Sequence, residues 1–180
     1  PRIEEMLKTT PLAPREYVGL ATALARVDGK PVSEQNLADY FLVTLNDATA
    51  PLASRLLALR AIPAAHAKLK SETLLELLKH EDAALRVEAL RAIKDRGDVK
   101  AAPAALEVAK DAKQPAHVRA QAVLALSALS ADVNTFVALA GDGPTRDDAL
   151  RALVGAKLTD EQGKRLLDAA KGSTAGTELY

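Results

Sequence analysis

The chain has 180 residues, and its 24 Lys and Arg balance its 24 Asp and Glu. That neutrality argues against a general DNA binder, which needs excess positive charge on one face. The absence of cysteine excludes disulfides, thiolate metal sites, cysteine nucleophiles and covalent haem within these residues. With 37 Ala and 29 Leu against five aromatics, the composition favours helices and builds sheets poorly.

In chain order, Pro1 in place of Met is what is expected of a processed product or an excised piece. No basic segment followed by an apolar core is present, and no apolar stretch approaches the roughly 18 residues that span a bilayer. Leu20–Val27 is a degenerate first copy of a repeat, closed by the breaker Asp28-Gly29-Lys30-Pro31. Four full copies follow: Arg55–Ile62, Arg86–Ile93, Arg119–Leu126 and Arg146–Leu153. Each reads Arg-x-x-Ala-[Leu/Val]-x-Ala-[Ile/Leu], and their starts lie 31, 33 and 27 residues apart. A second helix alternates with them, at Leu42–Leu45, Leu74–Leu78, Ala105–Ala109 and Phe136–Ala140. Pro51 and Pro115 stand four residues before their repeat's arginine, where a proline costs no hydrogen bond. Asp82 fills the same slot in the Arg86 copy, where a carboxylate suits the positive end of a helix. Asp95–Asp98 and Gly141–Pro144 read as loops, and Asp160–Lys171 as a last helix that caps one end.

A helix pair of this size cannot bury its apolar faces alone, whereas stacked pairs share one continuous core. The repeat predicts an α-solenoid of about five helix pairs, with small Ala at the fourth and seventh repeat positions letting helices approach closely. The pattern resembles the HEAT repeat in its short bacterial form, the PBS-lyase-like HEAT family, over about residues 15 to 157. The resemblance implies an all-α, right-handed α-solenoid that serves as a scaffold or protein-binding surface. Residues 1–172 form the solenoid in this reading, and residues 173–180 a linker or tail.

Arg55, Arg86, Arg119 and Arg146 are the tempting anion site. At about 100° per residue, however, each points into the same sector as the core positions that follow it. They are expected to form a structural ladder, bonding loop carboxylates or carbonyl groups of the adjacent unit. Asp82 and Asp142, four residues before Arg86 and Arg146, are the carboxylates at hand. The third repeat positions (Leu57, Glu88, Gln121, Asp148) and the sixth (Arg60, Arg91, Leu124, Arg151) are expected to face outward. This mixed-sign stripe suits a protein or peptide better than nucleic acid, and exposed charges of this kind add little stability.

Catalytic and metal-binding signatures are absent from the sequence. His66, His80 and His117 are spaced 14 and 37 residues apart, which matches no helical ligand pair. His80 is expected as a cation at a helix C-terminal end, and His117 in a first helical turn. The acid pairs Glu4-Glu5, Glu81-Asp82, Asp147-Asp148 and Asp160-Glu161 fall near helix starts, where they favour the dipole. Gly141-Asp142-Gly143 is a turn rather than a phosphate loop. Tyr17, Tyr40 and Phe41 are expected in the core of the first pair rather than as a base-stacking platform.

The expected function is therefore a non-catalytic module, with no cofactor, that binds a protein, a peptide or neighbouring domains of its own chain. The resemblance also carries two other classes: attachment of tetrapyrrole pigments, as in PBS-lyase-like proteins, and DNA binding, as in HEAT-like repair proteins. Gly176–Tyr180 is similar to the lead-in of a c-type haem domain. Short HEAT arrays precede such domains in large bacterial dehydrogenase-like proteins that begin with a β-propeller. In that setting the chain would be periplasmic, and otherwise cytoplasmic.

Overall fold

The computed structural model describes residues 2–10, 12–129 and 131–171. The expected tail, 173–180, and the haem-domain resemblance it carries lie outside the described residues. Among the described residues the secondary structure is helical throughout, with eleven α-helices and two short 3-10 turns. They are α1 (Arg2–Thr9), α2 (Pro14–Val27), α3 (Glu34–Asn46), α4 (Leu52–Ala61), α5 (Ser71–Leu77), α6 (Ala83–Arg96), α7 (Ala102–Lys110), α8 (Ala116–Ala128), α9 (Val133–Leu139), α10 (Arg146–Ala152) and α11 (Asp160–Lys171). The five pairs from α2–α3 to α10–α11 follow the repeat, and α1 precedes them. Neighbouring helices pack together in the manner of a HEAT-like helical solenoid.

The chain divides into two compact units, Pro1–Leu77 and Leu78–Tyr180, and the division falls after a complete pair. In the first unit α3 packs on α2 and α4, and α1 touches α2 and α4. Tyr17 and Phe41 stack with ring centroids 5.1 Å apart, and the same unit buries Leu24, Leu37, Leu45 and Leu59. In the second unit α8 packs on α6, α7 and α10, while α9 packs on α10 and α11.

The local chemistry explains where helices start and stop. The Asp82 carboxylate accepts from the backbone N–H groups of Ala84 and Leu85 at 2.8 and 3.1 Å, capping α6. Ser33 caps α3 in the same way, accepting from the Asn36 N–H at 3.3 Å. Pro51 and Pro115 occupy the N-cap positions of α4 and α8, and their carbonyl groups accept from the N–H of Arg55 and Arg119. The helix α6 runs through Asp95 and Arg96, which the sequence reading had placed in a loop. It ends at Gly97, whose φ of 67° is the left-handed conformation that glycine enters without a Cβ penalty.

The four alanines at the fourth repeat position, Ala58, Ala89, Ala122 and Ala149, are all fully buried. The aliphatic fifth position is also buried at Leu59, Leu90 and Val123, whereas Leu150 on α10 is 38% exposed. Val123 lies on α8, which packs on both α6 and α10, whereas Leu150 lies on α10, which packs on α8 alone of these first helices.

Candidate interaction surface

The repeat arginines come first because their role limits what remains for binding. Arg119 is 3% exposed. Its Nε donates to the Ala109 carbonyl at 2.8 Å, and its Nη2 pairs with Asp142. Arg86 donates through Nη1 to the carbonyl groups of His80 and Glu81 at 2.6 and 2.8 Å. Arg55 Nε donates to the Leu45 carbonyl at 3.1 Å, and Arg146 Nε to the Ala140 carbonyl at 3.2 Å. For Arg55, Arg119 and Arg146 the acceptor lies at the C-terminal end of the preceding α-helix, and for Arg86 in the turn before α6. The last carbonyls of a helix lack intrahelical partners and carry its negative dipole end, so a cation there satisfies both needs. The ladder thus joins α4, α8 and α10 to the end of the preceding second helix, and α6 to the His80–Glu81 turn before it.

The carboxylates expected to serve this ladder act differently. Asp82 spends its oxygen on its own helix N-terminus rather than on Arg86. Asp142 pairs with Arg119 rather than with Arg146 four residues later. Thr145, which sequence reasoning missed, is fully buried. Its hydroxyl donates to the Leu139 carbonyl at 2.7 Å, a second cap on α9. The only sequence signal for it is its place immediately before the repeat arginine.

The expected outward stripe divides into two. Of the sixth positions, Arg60, Leu124 and Arg151 are exposed and Arg91 is half-buried. The third positions are drawn inward: Leu57, Gln121 and Asp148 are half-buried, and Glu88 is only 7% exposed. The helical wheel placed these outward. Stacking of α6 on α8 and of α8 on α10 covers a flank that the wheel of a single helix leaves open. On α6 and α10 the third position instead holds the sixth. Glu88 Oε2 accepts from Arg91 Nε at 2.8 Å, and Asp95 accepts from Arg91 Nη1 at 2.9 Å. Asp148 accepts from Arg151 Nη1, also at 2.9 Å. Desolvation opposes the charge on Arg91, but Glu88 and Asp95 outweigh it and raise the guanidinium above its ordinary value. In the first unit, Leu57 and Arg60 line a separate small cleft of about 160 Å³ with Tyr17 and Val18.

The histidines stand apart from this surface. His66 is 3% exposed, with Nε2 3.9 Å from Asp39, which is itself held by Lys68 at 2.7 Å. The Nδ1 of His80 accepts from the Asp82 N–H at 3.0 Å. Beside it, the Arg86 guanidinium is a cation that meets the carbonyl groups of His80 and Glu81. His117 lies exposed in the first turn of α8, as the sequence suggested. Tyr40 departs from the expected core placement. It is half-buried, its hydroxyl donates to Asp28 at 2.5 Å, and Lys30 Nζ stands 4.7 Å from its ring centroid. The four acid pairs lie at helix starts or caps, as expected. Among the described residues no three His, Cys, Asp or Glu side chains gather as a metal site.

Residues 71–154 match the family model for HEAT repeats. The match supports a HEAT-repeat family. It runs from α5 through α10, and the repeat arginines Arg86, Arg119 and Arg146 fall within it. No curated protein and no solved structure matches the chain. HEAT repeats commonly serve as protein-interaction scaffolds. Among the described residues no helix is long and apolar enough to cross a membrane.

Proposed function

We propose that the chain is a non-catalytic interaction scaffold, and that it binds protein through the outward edge of α6, α8 and α10. The observation that carries this reading is the state of the sixth repeat positions. Arg91 and Arg151 are ion-paired within their own helices, while Leu124 on α8, which packs on both α6 and α10, is 42% exposed. An apolar centre with a neutralised polar rim is the make-up of a protein-binding patch rather than of a phosphate-binding one. The partner is a protein or peptide segment that places an apolar side chain on Leu124 and mixed charges around it, whether on a separate protein or on a neighbouring domain. The finer placement inside a haem-containing redox protein rests on residues 176–180 alone. A Cys-x-x-Cys-His motif encoded within about 20 residues after Tyr180 decides it.

The test is a Leu124→Asp variant, with Lys110→Glu on α7 as the control. A partner recovered by cross-linking in the native cell and then purified should bind the Leu124→Asp protein at least about tenfold more weakly, and the control unchanged. Equal affinity for both variants would remove the reading. So would turnover by the isolated protein that survives repurification.

A further inference from the structure

The first unit contains a cavity of about 450 Å³ between α1, α2 and α3, lined by none of the residues proposed above. That volume lies within the range of small-molecule sites. Its apolar wall is formed by Leu7, Leu24 and Val43. The polar groups of the wall are mostly engaged elsewhere. Lys8 pairs with Asp47 at 3.1 Å, the Thr9 hydroxyl donates to the Glu5 carbonyl at 2.8 Å, and the Tyr40 hydroxyl donates to Asp28. Partial desolvation, and then the Asp28 carboxylate, raise the Tyr40 phenol, so it remains a donor committed to that bond.

Two sets of polar groups remain. At the exposed side stand the carboxylates of Glu4 and Glu5, neither of which has an ion-pair partner among the described side chains. At the deep side lies Thr44, only 2% exposed, which lines the cavity. The buried Tyr17 hydroxyl approaches it without a well-formed hydrogen bond. The Tyr17 hydroxyl left in this state costs stability, but it does not itself line the cavity; Thr44 is the buried hydroxyl residue that does.

We infer that this cavity binds a small organic amine. The ammonium meets Glu4 and Glu5, an apolar body lies against Leu7, Leu24 and Val43, and a hydrogen-bonding group at the far end reaches Thr44. Charge complementarity selects the cation, because the unspent groups at the mouth are both anionic and Lys8 is held by Asp47. The depth of Thr44 selects the polar far end. The site is independent of the α6–α8–α10 surface, so either reading can fail without the other.

Three probes of one shape test it on the full chain. Tyramine carries both polar ends, phenethylamine lacks the hydroxyl, and tyrosol replaces the ammonium with an uncharged hydroxyl. Calorimetry should rank them tyramine, phenethylamine, tyrosol, with amide NMR shifts confined to residues 4–9, 24 and 40–44. The Glu4→Gln/Glu5→Gln variant should weaken tyramine at least about tenfold and leave tyrosol unchanged. Thr44→Val should erase the advantage of tyramine over phenethylamine. Val43→Trp, at a position exposed enough to keep the fold, should fill the cavity and abolish binding of all three. The inference is overturned if no probe saturates by about 10 mM, if tyrosol binds as well as tyramine, or if the shifts lie elsewhere.

Discussion

Arg119 shows how one residue type at one repeat position can serve architecture instead of recognition. Its guanidinium is planar and presents several donors in fixed directions. One donor reaches the carbonyl of Ala109 and another the carboxylate of Asp142, so a single side chain ties the ends of α7 and α9 to α8. Replacement by Ala leaves a buried carbonyl without its donor and should cost roughly 2–3 kcal/mol of unfolding free energy. Urea unfolding followed by circular dichroism measures it. Arg119→Lys should recover part of that loss, because one ammonium reaches one acceptor but cannot span both. A loss below the effect of an exposed surface substitution would show that the ladder is ornamental.

Helix α1 illustrates attachment of an element by few contacts. It has eight residues, buries Leu7, and is held to the turn after α3 by Lys8 and Asp47. The Thr49 hydroxyl, followed by Lys8 and the Thr49 backbone N–H, lowers the Asp47 carboxyl to about 2. Its ordinary value is about 3.9. A carboxylate lowered on folding contributes in full above its unfolded value, and the contribution is lost as pH falls through the folded one. Attachment of α1 should therefore hold at neutral pH and weaken between about pH 4 and pH 2. Amide NMR shifts of residues 6–10 should follow this titration with a midpoint near 2. In Asp47→Asn they should not titrate there. A midpoint near 4 in the unsubstituted protein would mean that Asp47 is not held as described.

Across the whole molecule, stability is built from neighbour contacts. In the second unit α8 packs on α6, α7 and α10, and every other α-helix packs on one or two helices close to it in sequence. Such arrays fold as sums of units and interfaces, without requiring long-range closure. A fragment of residues 78–171 should therefore be helical and unfold cooperatively on its own, as far-ultraviolet circular dichroism and urea titration would report. The same fragment carrying Ala122→Asp, which places a carboxylate at a fully buried position of α8, should lose both properties. A wild-type fragment that is already unstructured would show that the second unit depends on the first.

The repeat itself was enough to place the helix pairs. The Arg-x-x-Ala-[Leu/Val]-x-Ala-[Ile/Leu] spacing located α4, α6, α8 and α10, and the caps Pro51, Asp82 and Pro115 stand where helical starts require them. Helix α11 begins and ends at the residues its composition suggested. These features are local: periodicity, capping and proline geometry act within a turn or two, so one strand of sequence contains all of the information. The partner of each arginine is not local. Asp142 lies 23 residues from Arg119, and the choice between it and a nearer carboxylate is made by which helix ends the packing brings together. The same holds for Glu88, which a single-helix wheel turns outward and which the stacking of α6 on α8 buries. Tyr40 and the Glu4–Glu5–Thr44 cavity likewise depend on how α1 and α3 meet, a relation no periodicity encodes. The sequence by itself determined the succession of the paired helices and the burial of the fourth-position alanines. Only the tertiary structure decided which polar groups are spent in holding them together and which remain for a ligand.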